Sequence, residues 1–144
     1  MIDLSDLAEG SWVTIDTAPL IYLLEDNTTF LETYLPLFEE IEAGRLRGVV
    51  SVVTLAELLA GPLRNGDEIL ADRYYQSLSS SSHWQVQEMN ASLAFTAARI
   101  RIRYGLKLPD AIQVATAIYT NSAALVVHDR DFRQVTEIPV IGIC

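Results

Sequence analysis

Four acidic residues stand where predicted secondary-structure elements begin or end, and they are the main candidates for chemistry. They are Asp16, Glu57, Asp110 and Asp129. Two of them follow short apolar runs that are typical of buried strands, and two fall in the first turn of a predicted helix. Open α/β sheets usually carry their chemistry beyond the carboxyl ends of their strands. If the strands are parallel, Asp16, Glu57 and Asp129 share one edge, and Asp110 joins them if its helix starts there.

Each acid also has a purely structural interpretation. Asp16 and Asp129 could cap the elements that follow them, and Thr54-x-x-Glu57 matches a capping box. Asp110 would interact favourably with the dipole of its helix. Capping explains each acid separately, but it does not require all four to lie at strand exits and helix starts.

A shared carboxylate site would require cations, because clustered negative charges repel one another. Mg²⁺ prefers oxygen ligands and typically combines one or two carboxylates with substrate phosphate. Two such ions about 4 Å apart can activate a water and stabilise the leaving oxygen of a phosphodiester. The acids therefore favour a nucleic-acid-cleaving site that uses Mg²⁺ or Mn²⁺.

The elements that would position these acids alternate between strand and helix patterns, which predicts βαβ units around a mainly parallel sheet. Predicted strands cover residues 12–16, 47–53, 84–87, 124–127 and 139–143. Predicted helices cover residues 18–25, 29–43, 54–60, 67–78, 90–104 and 109–120. With 144 residues, the chain is expected to form one domain, residues 1–144.

Four local predictions concern the helices. A Thr29–Glu32 capping box should open the second helix, and Gly61-Pro62 should end the third. The second helix should bury one face, formed by Leu31, Tyr34, Leu35, Phe38 and Ile41. In the last helix, Gln113, Thr116 and Thr120 should lie on a different face from the buried stripe.

Charge is distributed unevenly, although the net charge of −9 argues against an ordinary nucleic-acid binder. Residues 1–44 contain ten of the nineteen acids and no Lys or Arg. Residues 90–109 contain no acid and four bases, namely Arg99, Arg101, Arg103 and Lys107. These bases either form a solvated helix face or a cationic strip that holds phosphates, and the sequence leaves both open.

The remaining features narrow the class of protein. Cys144 is the one cysteine, which excludes an intramolecular disulfide, and we expect it to be inert. We see no basic leader and no apolar run of the roughly 18–20 residues that a membrane span needs. We therefore expect a soluble, cytoplasmic protein without a membrane partner. His83 and His128 lack metal-ligand spacing.

Four segments in order resemble the PIN domain, and more narrowly the VapC-type ribonuclease toxins of toxin–antitoxin modules. They are VTIDTAPLIYLLE, VVTLAELLAG, LKLPDAIQVATAI and LVVHDRDF. The resemblance runs from Val13 almost to the end of the chain. It implies an α/β/α sandwich with a parallel sheet, metal-dependent endoribonuclease activity, a homodimer and a small antitoxin partner.

The resemblance also assigns roles to particular residues. It implies that Asp16, Glu57, Asp110 and Asp129 form the family's acidic quartet, which binds the metal. Asp131 matches a commonly acidic position that supports the site, and Thr17 matches a frequent hydroxyl. Val127 departs from the Ser or Thr that family members often carry, which bears on metal affinity.

Two other classes of function compete with this interpretation. A catalytically idle PIN-like module that binds RNA or protein is compatible with the Val127 departure. A phosphatase-like or receiver-like domain would also use an acidic pocket. That class normally requires a lysine at a strand end, whereas the chain's one lysine, Lys107, is predicted to lie in a loop.

Overall fold

The computed structural model describes residues 2–27 and 29–142, so the predicted strand end at Ile143 and the residue Cys144 lie outside the described residues. Five strands form one sheet in the order β3-β2-β1-β4-β5, and every pair of neighbours is parallel. The strands are β1 (Trp12–Ile15), β2 (Arg47–Ser51), β3 (Trp84–Gln87), β4 (Ala124–Val127) and β5 (Val140–Gly142).

Helices connect these strands and cover both faces of the sheet. They are α1 (Thr17–Leu24), α2 (Leu31–Glu42), α3 (Val52–Arg64), α4 (Glu68–Ser79), α5 (Ala91–Tyr104) and α6 (Leu108–Tyr119). A 3-10 helix, Arg130–Phe132, lies between β4 and β5. The predicted α/β class with alternating strands and helices is confirmed.

The strand order explains the three layers. The first two crossovers step outward from β1 to β2 and then to β3, whereas the third returns past β1 to β4. Since crossovers between parallel strands are right-handed, reversing their direction moves the connecting helices to the opposite face. The helices α1 to α4 therefore form one layer, and α5 and α6 form the other. The order of strands reverses between β1 and β4, where α/β sheets open a crevice.

Each face of the sheet has its own core. Val13, Ile15 and Val126 point into the first core, where they meet side chains of α1, α2 and α3. Leu125 and Val127 point into the second core with side chains of α6 and the fully buried Phe132. The alternation along β4 follows from the two-residue period of a strand, and it buries the strand on both faces.

The start of α2 differs from its prediction. Asn27 Oδ1 accepts hydrogen bonds from the backbone N–H groups of Thr29 and Phe30, at 3.0 and 3.1 Å. This turn moves the N-cap to Phe30, which makes no side-chain cap hydrogen bond, so the Thr29–Glu32 capping box was wrong. Within α2, Leu35 is 41% exposed and Leu37 is buried, contrary to the predicted face.

The boundaries of α3 also differ. Ser51 Oγ accepts a hydrogen bond from Thr54 N and caps the helix, so the chain is already helical at Val52 rather than extended to residue 53. The helix also continues through Gly61-Pro62 to Arg64. Pro62 lies in the last turn, where a missing N–H removes one hydrogen bond without ending the helix.

The helix α6 is buried more completely than its pattern predicted, because it packs against α5 and against β1, β2 and β4. Gln113 and Thr116 are 1% and 0% exposed, although both were expected on a face apart from the buried stripe. Both polar side chains are hydrogen-bonded, as burial requires. No helix in the described part of the chain is long and apolar enough to span a membrane.

Candidate active site

The crevice between β1 and β4 brings two of the predicted acids to one edge of the sheet. The two strands are in register, with Ile15 opposite Val126, and Asp16 N donates a hydrogen bond to Val126 O at 2.9 Å. Asp16 therefore directly follows β1, and Asp129 lies two residues beyond the end of β4. Both acids leave the sheet at its carboxyl edge, where the order of strands reverses.

Three carboxylates come closest together. Oxygens of Asp110, Asp129 and Asp131 all lie within 4.8 Å of one another. Asp110 reaches the group from the first turn of α6. Asp131 reaches it from the 3-10 helix, where Asp129 Oδ1 accepts a hydrogen bond from Asp131 N at 2.9 Å. Asp129 therefore caps this turn and also belongs to the group. Its capping interpretation and its interpretation as a residue of the acidic site are compatible.

The pKa shifts show that these acids interact. The pKa of Asp110 rises to about 6, first because burial disfavours its charge and then because Asp16, Asp129 and Asp131 repel it. Lys107 opposes this rise but is the weakest of the causes. Burial also raises the pKa of Asp16, to which Asp129 adds repulsion. Asp16 is thus close enough to act on the cluster, although it lies outside the group of three.

This donor set fits a divalent cation. Oxygen ligands that lie about 2.0–2.6 Å from one ion are themselves within roughly 5 Å of one another, as the three carboxylates are. A raised carboxyl pKa marks a place where positive charge is favourable, because a nearby cation stabilises the ionised form. The cluster of Asp110, Asp129 and Asp131 could hold a metal, with Asp16 beside it.

Gln113 is a residue of the candidate site that the sequence pattern did not reveal. Its Nε2 donates to Asp16 Oδ1 at 2.7 Å and to Thr54 Oγ1 at 2.6 Å, and its Oε1 accepts from Ser51 Oγ at 2.7 Å. The amide orientation follows from these partners, since a flipped amide would point its oxygen at a carboxylate. The bond from Gln113 opposes the rise in the pKa of Asp16.

A directed chain of hydrogen bonds continues from Gln113 to Glu57. Thr17 Oγ1 donates to Glu57 Oε1 at 3.0 Å and lies 3.0 Å from Thr54 Oγ1. Each hydroxyl has one proton, so Thr17 must accept from Thr54 while Thr54 accepts from Gln113. Asp16 and Glu57 are therefore connected through three side chains of this buried network.

These contacts revise the capping interpretations. Asp16 occupies the N-cap position of α1, but its side chain makes no capping hydrogen bond. Glu57 lies too far into α3 for a capping box, because Ser51 is the N-cap. Asp110 does lie in the first turn of α6. Capping therefore fails to explain Asp16 and Glu57, whereas the network accounts for both.

The predicted cationic strip does not form a uniform row. All four bases are exposed, yet Arg103 forms an ion pair with Glu137, and the Arg99 guanidinium lies 5.1 Å from the centroid of the Phe95 ring. Lys107 is the N-cap residue of α6, which places it near Asp110. Arg101 has neither of the contacts that engage Arg99 and Arg103.

Val127 is fully buried, and its side chain packs in the second core with residues of α6. Its carbonyl oxygen accepts a hydrogen bond from the Tyr34 hydroxyl at 2.8 Å. A Ser or Thr at this position would place a hydroxyl in an apolar environment. The Val127 departure is therefore compatible with the packing of this chain.

Comparisons with known proteins identify the fold and the family of this chain. No curated protein matches the sequence significantly. A toxin–antitoxin complex from Klebsiella pneumoniae contains a chain with 24% identity and a TM-score of 0.68, and the match covers 88% of this chain and 94% of that one. The sarcin-ricin-loop-cleaving toxin VapC20 from Mycobacterium tuberculosis has 17% identity and a TM-score of 0.68, with 88% and 98% covered.

VapBC2 from Rickettsia felis, solved bound to a DNA fragment from its promoter, has 16% identity and a TM-score of 0.68, with 90% and 96% covered. At these identities the structural likeness establishes the fold. The model of the PIN domain family matches residues 13–138, which include all the acids described above. The chain therefore belongs to the PIN domain family.

Proposed function

We propose that this protein is a metal-dependent endoribonuclease that hydrolyses RNA phosphodiester bonds and acts as the toxin of a toxin–antitoxin pair. The observation that carries the proposal is the convergence of Asp110, Asp129 and Asp131 within 4.8 Å, with Asp16 close enough to raise the pKa of Asp110. Family membership makes nuclease chemistry the expected class of activity. The single sheet, from Trp12 to Gly142, supports one nuclease domain.

The residues divide into ligands and supports. Asp110, Asp129 and Asp131 would hold Mg²⁺ or Mn²⁺ directly, and Asp16 would bind it directly or through water. An ion bound there would supply an activated water and neutralise charge on the phosphate oxygens. Asp131 thus takes a more direct role than the supporting one that the resemblance implied.

Glu57 would orient the attacking water from the other end of the network. Its carboxylate is exposed, so it can reach a substrate, and the bond from Thr17 Oγ1 fixes one of its oxygens. Gln113 would hold Asp16 in place through a bond to Oδ1. Lys107, beside Asp110, and Arg101 are the candidates among the bases to contact flanking phosphates, because Arg99 and Arg103 are already engaged.

A small antitoxin is the proposed protein partner. Several solved neighbours are toxin–antitoxin complexes, which supports a partner protein for this chain as well. We further propose that the protein forms a homodimer. We also propose a cytoplasmic location, since the substrate would be cellular RNA. Co-purification of a small protein from the native host, and a dimer at micromolar concentration, are the expected results.

The nuclease proposal can be tested with a random-sequence single-stranded RNA pool. Wild-type protein should cut the pool in Mg²⁺ or Mn²⁺ and lose this activity in a chelator. Asp110→Asn should lower cleavage by at least about a hundredfold, because even the groups that support metal ligands are worth about 10–100-fold. Asp72→Asn is the matched control, since Asp72 is an exposed acid on α4.

Three results would contradict the proposal. Cleavage that persists in a chelator would exclude a metal-dependent mechanism. Full activity of Asp110→Asn would exclude the assigned site. If the wild-type protein binds RNA but neither cuts it nor gains thermal stability from Mg²⁺ or Mn²⁺, the chain is a catalytically idle binding module.

A further inference from the structure

A cluster of aromatic rings lies beside the carboxylates and takes no part in the proposed chemistry. Tyr22 of α1, Phe30 at the start of α2 and His128 after β4 pack around one another, and we call these three residues the aromatic platform. The His128 ring centroid lies 4.8 Å from that of Phe30 and 5.2 Å from that of Tyr22. The Tyr22 and Phe30 centroids are 5.1 Å apart.

Hydrogen bonds fix the orientation of the platform. The buried Tyr34 hydroxyl donates to Val127 O at 2.8 Å and lies 2.6 Å from His128 Nδ1. Since the hydroxyl has one proton and a carbonyl has none to give, His128 Nδ1–H must donate to the Tyr34 oxygen. The imidazole ring is thereby held in one position. The backbone of Phe30 is held by Asn27 Oδ1.

The platform is only partly buried. Tyr34 is 0% exposed and belongs to the core, whereas Phe30 is 36% exposed and Tyr22 and His128 are half-buried. The three residues of the platform are therefore partly accessible to a ligand from solvent. The exposed surface lies at the carboxyl edge of the sheet, because His128 follows β4 directly.

The platform is adjacent to the carboxylate cluster through the chain itself. His128 immediately precedes Asp129, and the peptide bond is trans, so the two Cα atoms are about 3.8 Å apart. Asp129 has an extended backbone, so the side chains of His128 and Asp129 point to opposite sides of the chain. An RNA strand that crosses this edge of the sheet with one phosphate at the cluster would bring a neighbouring base toward the rings. Unpaired bases stack readily on aromatic side chains, and each such contact contributes substantially to binding.

The charge of the protein makes such a contact valuable. A net charge of −9 gives little general attraction for RNA, and two of the four bases in residues 90–109 are engaged by Glu137 and Phe95. We infer that the aromatic platform of Tyr22, Phe30 and His128 stacks an unpaired RNA base next to the scissile phosphate and contributes to the choice of cut site. This inference rests on the proposed ribonuclease function.

The test uses the full chain and the random-sequence single-stranded RNA pool, with Mg²⁺, and maps the cut ends by sequencing. Phe30→Leu and Tyr22→Leu keep apolar bulk but remove the aromatic face. Each should raise KM by about tenfold, in the range of one lost stacking contact, with a smaller change in kcat. Each should also weaken the base preference at one position beside the cut.

Two controls separate stacking from folding. Phe30→Trp keeps an aromatic face and should retain the wild-type KM and base preference. Tyr75→Leu repeats the Tyr22 substitution at an exposed tyrosine of α4 and should leave both unchanged. Melting temperatures of all variants show whether either leucine variant is simply unfolded, in which case the other one decides.

The outcomes distinguish this inference from the function on which it rests. If the wild-type protein cuts RNA and folded leucine variants cut it with the same KM and base preference, the platform inference is wrong and the nuclease proposal stands. The same conclusion follows if these variants lose only the binding of a co-purifying protein. If the wild-type protein neither binds nor cuts the pool, both proposals fail.

Discussion

The two sides of the candidate site are built on opposite principles. On one side, Asp16 is held by Gln113, and Glu57 is held by Thr17, through a network of buried amide and hydroxyl groups. On the other side, Asp110, Asp129 and Asp131 approach one another within 4.8 Å, and no carboxylate of the three belongs to an ion pair within the described residues.

This difference shows how an acidic site can be held rigidly on one side and can favour binding of a cation on the other. Hydrogen bonds between side chains hold the first pair of acids in place without any ligand. In the three-carboxylate cluster, burial first and then repulsion from the neighbouring acids raise the pKa of Asp110, and a cation would offset both. The first side should therefore contribute to the stability of the metal-free protein, whereas the second should reduce it.

Gln113→Met is expected to have the largest effect on stability of the three changes that probe this contrast. Methionine has a similar length but no hydrogen-bonding amide, so Asp16, Thr54 and Ser51 lose a buried partner. The free energy of unfolding should fall by about 1–3 kcal/mol, and kcat should fall about 10–100-fold, as for groups that orient metal ligands. Thermal or urea denaturation and cleavage of the RNA pool measure these quantities.

A pH profile shows whether Gln113 acts on Asp16 or only fills space. The bond from Gln113 lowers the pKa of Asp16, so its loss should move the acid limb of the activity profile to higher pH. Gln134→Met, at an exposed position, is the matched control and should change neither stability nor profile. If the acid limb does not shift in Gln113→Met, Gln113 contributes to packing and does not act on Asp16.

Asp110→Asn should have the opposite effect on stability, although it should strongly lower activity. The folded-state pKa of Asp110 is about 6, above the ordinary value of 3.8, so the folded state binds more protons than the unfolded state between these values. The free energy of unfolding therefore falls as pH rises from about 4 to about 6. Without metal at pH 7, the variant should be more stable by roughly 1 kcal/mol, since solvent screens a partly exposed group.

Divalent metal should reverse that order. Mg²⁺ or Mn²⁺ stabilises the folded protein in proportion to its binding, so the wild-type melting temperature should rise more than that of Asp110→Asn. The rise should be smaller at pH 5 than at pH 7, because protons then compete for Asp110. Asp72→Asn should follow the wild type throughout. A variant that is less stable than the wild type in a chelator at pH 7 would contradict the repulsion described for the cluster.

The ends of the elements could be predicted from the sequence because their signals are local. Asn90 accepts a hydrogen bond from Leu93 N at the start of α5, and Gly105 ends that helix with a φ of 67°. Apolar runs likewise placed β1 and β4, and with them Asp16 and Asp129. The acids at the carboxyl edge were identifiable because a parallel sheet brings its strand exits together.

The hydrogen-bond network could not be predicted because its contacts are distant in sequence. Gln113 meets Ser51 and Asp16 across 62 and 97 residues. Helical periodicity separates apolar from polar faces, but it cannot indicate that α6 is enclosed by α5 and the sheet on its polar side as well. A glutamine in a helix that is otherwise rich in alanine and isoleucine was the only signal, and by itself it is weak.

Thr17→Val is expected to have the smallest effect, and it tests the end of the network near Glu57. Valine keeps the shape of threonine but removes the bond to Glu57 Oε1 and the acceptor for Thr54. Glu57 is exposed, so water can replace its lost partner, and the Thr54 hydroxyl can turn to Ser51 Oγ, which lies 3.5 Å away. The free energy of unfolding should therefore fall by only about 0.5–1 kcal/mol. The loss of orientation should lower kcat by about fivefold or less, the kinetic equivalent of about 1 kcal/mol.

Thr17→Ser retains the hydroxyl and should behave as the wild type in the same denaturation and cleavage assays. If serine impairs cleavage as much as valine does, the methyl group of Thr17 matters rather than its hydrogen bond, and the connection between Asp16 and Glu57 has no role in catalysis.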